Sequence, residues 1–267
     1  IPFGIAQIGK AFRNEISPRN FLFRTREMEQ ADTQYFIRPN ENKEAYEQVK
    51  KDRFNWYVGL GIKPENLRFL QHENLVFYAK DAWDIEYNFP TGFDELEGVH
   101  DRSDYDLNQH MKHSGTDLRY TDPSSGEKYI PWILETSVGM GRMFLAFLSD
   151  AYSEETKEDD TRVFLKLSPK LSPIKAAIFP LLRNKPELVS KAKEVYDSLK
   201  KEFKCEFDDN GNIGKRYRRQ DEIGTPFCIV IDFDTLTDDS VTVRDRDNGT
   251  QERIKVSELS SFIKSKI

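Results

Sequence analysis

The sequence predicts two domains in tandem: an α+β domain built on an antiparallel sheet, then a smaller α/β domain with a mixed sheet. Three observations carry that expectation. The first half holds strand-like runs set off by turn-forming groups, with few helical stretches. The second half alternates strand-like and helix-like segments. Between them, SEETKEDDT at residues 153–161 is polar and mostly acidic and reads as a linker, placing the domains at 1–157 and 158–267.

In the first half, residues 5–16 and 21–29 read as strands, separated by the turn-forming group Ser17-Pro18-Arg19-Asn20. Residues 42–60 read as a helix, with Tyr46, Val49, Phe54 and Tyr57 on one broad stripe. Residues 75–89 and 129–135 read as strands, and 142–148 is apolar nearly all round, as a buried helix would be. In the second half, 175–182 is a strand and 186–203 a helix with Pro186 in its first turn. Leu188, Ala192, Val195, Leu199 and Phe203 keep helical spacing there. A short strand follows at 204–207, a helix at 214–221 and a strand at 227–232. Residues 240–244 and 251–256 form a hairpin around Asp247-Asn248-Gly249, before a last helix from Ser257.

With 37% hydrophobic and 12% aromatic residues, the 267-residue chain can fill a core, which excludes global disorder. No apolar run of about 18 residues occurs, so no membrane-spanning helix is expected. The opening Ile1-Pro2-Phe3-Gly4 has neither a basic nor an apolar leader, so no secretory signal is expected. Cys205 and Cys228 lie far apart without ligand-like spacing, which fits free buried thiols in a reducing cytosol. A net charge of −6 argues against indiscriminate nucleic-acid binding and leaves room for a local basic patch.

Several segments carry chemistry. If 5–16 and 21–29 are strands, Arg13 and Glu15 share one face, as do Arg24, Arg26 and Met28. Paired across the turn, these make either a grip for phosphate and carboxylate oxygens or a solvated face with cross-strand ion pairs. Glu95 and Glu97 fall on one strand face with Asp94 on the other; such a pair holds Mg²⁺ beside a nucleotide, or is a scatter of surface acids. Glu135 and Ser137 share a face, Gly139 and Gly141 allow close backbone approach, and Arg142 opens the next helix. His110 and His113 have no cysteine nearby and read as ordinary hydrogen-bonding histidines rather than a zinc pair. Lys215, Arg216, Arg218 and Arg219 around Tyr217 form either a phosphate-and-base platform or a solvated helix face.

The wording of these segments is more specific than their pattern. Phe12-Arg13-Asn14-Glu15 with Phe23-Arg24-Thr25-Arg26-Glu27 resembles motif 2 of the class II aminoacyl-tRNA synthetases, and GKAFRNEISPRN with FRTRE is similar to the glycyl-tRNA synthetases in particular. DIEY, FDELEG and DRSDYDL look like the same family, and ETSVGMGR, ending in Arg142, resembles motif 3. IGKRYRRQDEIGTPF resembles the anticodon-binding domain shared by glycyl, histidyl, prolyl and threonyl synthetases. The resemblance spans essentially the whole chain. It implies a class II antiparallel-sheet catalytic domain followed by an anticodon-binding domain, and ATP-dependent ligation of glycine to tRNA(Gly) through glycyl-adenylate. ATP, Mg²⁺, glycine and tRNA are the implied ligands, in a cytoplasmic enzyme that is a homodimer at full length. Motif 1 is expected ahead of Ile1.

By the same resemblance, Arg13 grips the α-phosphate and the amino-acid carboxylate, Glu15 reads the adenine amino group and Arg24 holds the γ-phosphate. Met28 and Arg142 cover the two faces of adenine. Asn14, Phe23, Thr25, Arg26, Glu27, Glu95, Leu96, Gly139, Met140 and Gly141 complete the implied ATP site, with Glu95 and Glu135 at the metal. Arg13, Glu135 and Arg142 are the implied catalytic residues. The implied glycine pocket runs through Met28, Glu29, Gln30, Ala31 and Asp32, and through Glu135, Thr136, Ser137, Val138 and Gly139. Lys215, Arg216, Arg218 and Arg219 are the implied tRNA contacts. Asp32 stands where the family has Glu to receive the substrate ammonium, Met28 stands where Phe is usual, Thr136 replaces Pro, and Gly141 varies in the family. The alternatives are a class II synthetase of another specificity, or a non-catalytic synthetase-like RNA-binding or accessory subunit. The latter usually lose motif arginines, whereas Arg13, Arg24 and Arg142 are all present.

Overall fold

The computed structural model describes residues 1–157 and 160–267. They divide into two units, Ile1–Ser149 and Asp150–Ile267. The first is organised by a six-stranded sheet in the order β1-β2-β8-β5-β4-β3, every neighbouring pair antiparallel. Its strands are β1 (Phe3–Phe12), β2 (Glu27–Ile37), β3 (Leu67–Gln71), β4 (Asp81–Phe89), β5 (Gly92–Ser103) and β8 (Trp132–Gly139). A two-stranded pair, β6 (Tyr120–Thr121) and β7 (Lys128–Tyr129), stands apart from it. Helices α1 (Asn42–Gly59), α2 (Tyr105–Ser114) and α3 (Met140–Ala151) complete the unit, α3 running on directly from β8.

The apolar stripe on α1 does what its spacing requires. Tyr46 and Tyr57 are buried in the core, with Val49 and Phe54 packed against it. The core lies between α1 and one sheet face, where Ile85, Tyr87, Leu96, Val99 and Leu134 point inward. Two polar anchors fix the helix there. The Tyr46 hydroxyl donates to the Val99 carbonyl at 2.5 Å. Fully buried Glu97 receives a two-pronged grip from Arg53 at 2.7 and 3.0 Å and the Tyr57 hydroxyl at 2.6 Å. Burial drives the Tyr57 hydroxyl far above its ordinary pKa, and the Glu97 charge adds to that, so it stays a donor.

Glu97 reaches the core because β5 is bulged. Ile85 pairs with Glu97 but Glu86 pairs with Glu95, so Leu96 is an extra residue and the side-chain alternation slips by one. Glu95 and Glu97 therefore do not share a face, contrary to simple alternation: Glu95 is exposed and Glu97 is buried. Two other expectations change. Only Asp81–Phe89 of the 75–89 run is a strand, and Leu75, Val76 and Phe77 before it are exposed apolar residues outside any strand. Nor is α3 buried all round, since Phe144 is 65% exposed.

In the second unit β11 (Ala176–Pro180), β12 (Cys205–Phe207), β13 (Phe227–Ile231), β14 (Ser240–Asp245) and β15 (Gln251–Lys255) form a sheet in the order β12-β11-β13-β14-β15. The β11 pairings are parallel and the β14 pairings antiparallel, giving the mixed sheet. Wholly apolar β11 and β13 are buried on both faces. Ala176 and Ile178 pack with α4 (Pro186–Leu199) and α7 (Leu259–Lys266), while Ala177 and Phe179 meet Ile213 and Tyr217 of α5 (Ile213–Ile223). A single turn, α6 (Thr235–Asp238), precedes β14. Both cysteines are free, Cys228 buried and Cys205 half-buried.

The stretch read as a linker is instead an antiparallel ribbon, β9 (Tyr152–Lys157) with β10 (Asp160–Leu165). Thr156 and Thr161 within the stretch, with Val163 and Phe164 just past it, supply the strand character that its charge concealed. Residues 158 and 159, where the second domain was expected to begin, lie outside the described residues. No helix among the described residues is long and apolar enough to cross a membrane.

Replacing Glu97 with Ala strands the Arg53 guanidinium and the Tyr57 hydroxyl in the core. Loss of about 3–5 kcal/mol is expected, the scale of breaking a buried ion pair from one side. Urea unfolding of the variant against the parent measures it; a loss under about 1 kcal/mol would assign the anchoring of α1 to apolar packing alone.

Candidate active site

The sheet face opposite α1 carries a cavity of about 370 Å³. Three stretches build it. The first is the β1–β2 connection. Strand pairing runs from Phe3–Phe36 to Phe12–Glu27, and the Arg13 amide adds one more bond to the Arg26 carbonyl at 2.9 Å. Residues 14–25 then form a loop rather than the two strands expected there, with Asn20 and Phe21 in the left-handed region and a bridge between Arg19 and Arg24. Arg13 and Glu15 both line the cavity, brought together by a tight turn in which the Glu15 amide bonds the Arg13 carbonyl at 2.9 Å. Arg24 and Arg26 do not line it. Both serve the loop itself: Arg24 lies 3.9 Å from the Glu15 carboxylate, and Arg26 donates to the Glu15 carbonyl at 2.9 Å.

The second stretch is the end of β8 and the start of α3. Glu135, Ser137, Gly139, Gly141 and Arg142 all line the cavity. Thr136 and Val138 alternate away from it and are buried. A Cβ on Gly139 or Gly141 would meet nothing nearer than 3.5 Å, so neither glycine is required by the protein's own packing. The Arg142 guanidinium donates to the Glu95 carbonyl at 2.8 Å, the Glu95 carboxylate at 3.1 Å and the Phe23 carbonyl at 3.0 Å, and lies 5.1 Å over the Phe23 ring.

The third stretch is β5. Past the bulge, Gly98 and His100 face the cavity with Glu95, while Leu96 is turned into the core, where its side chain cannot touch a nucleotide. His100 approaches Glu135 Oε1 with Nδ1 at 3.4 Å, and Arg102 donates to the same oxygen at 3.2 Å. Gln34 donates to Glu135 Oε2 at 2.5 Å. Burial alone would raise the Glu135 carboxyl, but the His100 and Gln34 hydrogen bonds and the Arg102 charge outweigh it and hold the group below the usual carboxylate range. Arg102 is itself gripped by Asp106 at 2.5 and 2.8 Å and lies 4.3 Å over the Tyr78 ring. Across from Gly98 on β4, the Asp84 carboxylate accepts from His72 Nε2 at 2.8 Å, and burial raises its carboxyl despite that partner.

Of the expected ligand-site residues, Thr25, Glu27, Met28, Glu29 and Gln30 join the cavity wall, while Asn14, Ala31 and Met140 do not. Asp32 lies off the main cavity, in an adjoining hollow of about 360 Å³ that it shares with Gln7, Gly9, Gln30 and Gln34. Gln30 lines both spaces and donates to the Ser137 hydroxyl.

In the second unit the basic segment opens α5, capped by Asn212 accepting from the Lys215 amide at 2.9 Å. Its cations do not form one patch. Arg216 is 1% exposed, its guanidinium donating to the carbonyls of Pro180, Asp209 and Gly211 at 2.5–3.0 Å. Burial lowers its pKa. It cannot touch a nucleic acid. Arg218 donates to the Thr161 carbonyl at 2.9 Å, and exposed Arg219 pairs with Asp208 at 2.5 Å. Lys215 is exposed.

Residues 1–151 match the family model described as tRNA synthetase class II core domain (G, H, P, S and T). The chain belongs to the class II tRNA synthetases. Residues 175–266 match a second model, the anticodon binding domain. Among relatives of this class II chain is a protein of Clostridium acetobutylicum named glycine--tRNA ligase, 53% identical over all of the chain and 58% of the relative. Proteins of the same name from Caldanaerobacter subterraneus subsp. tengcongensis and Chlorobaculum tepidum are 52% and 50% identical over all of the chain and 58% and 57% of their own lengths. The class II chain thus spans less than two thirds of the relatives it matches.

Sequence reasoning missed Leu22, Tyr78, Gly98 and His100 in the class II cavity. His100 carried a signal only after the bulge is known, since unbroken alternation from Glu95 would turn it away. Gly98 is the one cavity glycine with no room: a Cβ would fall 2.9 Å from His100 Cε1 and 3.0 Å from its Nε2. Gly98→Ala is expected to swing the His100 ring off Glu135 at a cost of about 1–3 kcal/mol, as overpacking does. The ¹⁵N resonances of the His100 ring report it, and unshifted resonances would show that the ring has room to spare.

Proposed function

We propose that the protein carrying this chain joins glycine to tRNA(Gly) at the expense of ATP, as a cytoplasmic homodimer. The observation that carries this reading is the convergence of Arg13, Glu15, Glu135, Ser137 and Arg142 on one cavity. It is supported by 50–53% identity, over the whole chain, to proteins named glycine--tRNA ligase.

The chemistry is two displacements. A glycine carboxylate oxygen attacks the α-phosphorus of ATP, the bond to the bridging oxygen breaks, and pyrophosphate leaves. The terminal ribose hydroxyl of tRNA then attacks the glycyl carbonyl carbon and loses its proton, and AMP leaves. Neither step needs a covalent enzyme intermediate, so the protein contributes orientation and charge stabilisation. Arg13, donating from the loop edge, bridges the glycine carboxylate and the α-phosphate. Glu15 accepts the adenine amino group, and Arg142, already held in place by the Glu95 and Phe23 carbonyls, covers the ring. Asp32 and Glu135 receive the ammonium. Arg24, half exposed on the loop, meets the γ-phosphate.

Magnesium neutralises charge on the triphosphate. Glu95 fits as its protein ligand, with a carboxylate half exposed at the cavity wall. Glu135 does not fit. Gln34 on one oxygen and His100 and Arg102 on the other already fill most of its lone-pair sites, leaving too few for a metal's shell. Among the described residues no three His, Cys, Asp or Glu side chains gather as a metal cluster.

Arg13→Ala in the full-length protein should cost about 3–4 kcal/mol of transition-state stabilisation. ATP–pyrophosphate exchange with glycine, against serine, threonine, alanine and proline, measures both that loss and the specificity; exchange within tenfold of the parent would remove Arg13 from its role. Asp32→Asn should raise the glycine KM and leave the ATP KM near its parent value. At the anticodon-binding unit, Lys215→Ala with Arg219→Ala is expected to flatten the plot of log tRNA affinity against log salt by about 2, one for each phosphate contact. Adenylate formation should not change. A slope equal to the parent's would move the tRNA contact to another surface of that unit.

A further inference from the structure

We infer that Gln34 is a positioning residue for the substrate ammonium, holding the Glu135 carboxylate in register through its side-chain amide. The inference rests on the ligase reading above and concerns how its ammonium site is built. Gln34 of β2 lies directly opposite Glu135 of β8, and both side chains stand on the cavity side of the sheet. The two oxygens of Glu135 are served differently. Oε1 takes Arg102 and His100, both from β5, while Oε2 takes Gln34 at 2.5 Å. Without Gln34 the carboxylate is held from one side only and can rotate about its last bond.

Charge decides why an amide suits this position. Arg102 is shared with Asp106 through a two-pronged contact, which offsets much of its charge, and Glu135 stays ionised. Gln34 adds direction without charge. A cation in its place would donate equally well and cancel the charge that attracts the ammonium. An amide beside a carboxylate must also turn its nitrogen toward it, which turns its carbonyl oxygen away. Gln34 also borders the hollow that holds Gln7 and Asp32. Gln30, four residues back on the same face, repeats the device by donating to Ser137. Strand β2 thus presents amide, carboxylate, amide at positions 30, 32 and 34. The middle carboxylate has no hydrogen-bond partner among the described residues and is left for the substrate.

Gln34→Leu removes the donor at nearly constant volume, and Gln34→Lys keeps a donor but adds charge. In the full-length protein, ATP–pyrophosphate exchange should show the glycine KM raised about tenfold or more in both variants. The kcat and the ATP KM should stay within about threefold. Calorimetric titration with glycylsulfamoyl adenosine and with its acetyl counterpart, which lacks the ammonium, supplies a second readout: only the first should lose affinity. An unchanged glycine KM in Gln34→Leu, a parallel rise in the ATP KM, or equal losses for the two analogues would overturn the inference. If the parent activates a different amino acid, the glycine specificity fails but the same KM comparison with that amino acid still decides the role of Gln34, because every amino acid carries the ammonium. A parent that binds both analogues equally would overturn both.

Discussion

The bulge at Leu96 is the constraint on which the first unit depends. A strand with unbroken alternation would send Glu95 and Glu97 to the same side and leave either the core or the cavity without its anchor. One extra residue resolves the conflict. Before it, Glu95 faces the cavity and braces Arg142; after it, Glu97 and Val99 face α1, while Gly98 and His100 return to the cavity. The buried Arg53–Glu97–Tyr57 contact and the His100–Glu135 contact are thus two faces of one strand, set in phase by one irregularity. Such an irregularity re-aims side chains at little cost in strand pairing, since the ladder resumes on both sides of it.

That same irregularity marks where the sequence stops being legible. Periodicity located α1, α4 and β13 to within a few residues, because their apolar spacing is long and is answered by burial on the predicted sides. The apolar run 75–78 was misleading: Leu75, Val76 and Phe77 are exposed, Tyr78 sits at the cavity wall under Arg102, and the strand begins only at Asp81. The acidic ribbon β9–β10 was hidden for the opposite reason: charge suggested a linker, yet the backbone pairs as a ribbon, with Phe164 buried and Arg162 bound to Asp221 of α5. A bulge has no spacing of its own to read. Glu95 and Glu97 look equivalent in the sequence, and only the register of their partner strand separates them.

The candidate site divides along similar lines. The motif wording picked out Arg13, Glu15, Glu135, Ser137 and Arg142, which meet at one cavity although 129 residues of chain separate the first from the last. It could not distinguish residues whose side chains form the wall from neighbours turned away by the pleat, such as Thr136 and Val138. In the second unit, composition proved a poor guide. A run of four cations suggested a phosphate platform, yet Arg216 is buried, its guanidinium donating to the carbonyls of Pro180, Asp209 and Gly211, out of reach of a ligand. The loop it grips, 208–212, and the pairing of Arg219 with Asp208 show the segment organising its own helix start.

Along β8 the polar residues fall in an order that gives the cavity a direction. Glu135 comes first, Ser137 next, and Gly139 leads into Arg142 at the head of α3. Four residues of strand span about 13 Å at roughly 3.3 Å each, so the carboxylate and guanidinium ends are well separated. Arg13 joins the guanidinium end, since the β1–β2 pairing closes on the side where Gln30 meets Gly139. Under the ligase reading an amino acid is a zwitterion, and this gradient orients it: ammonium toward Glu135 and Asp32, carboxylate toward Arg13. A zwitterion turned the other way would set like charges together at both ends. For a substrate without a side chain, that polarity is the main handle available, which is why the donors around Glu135 must fix the carboxylate without neutralising it.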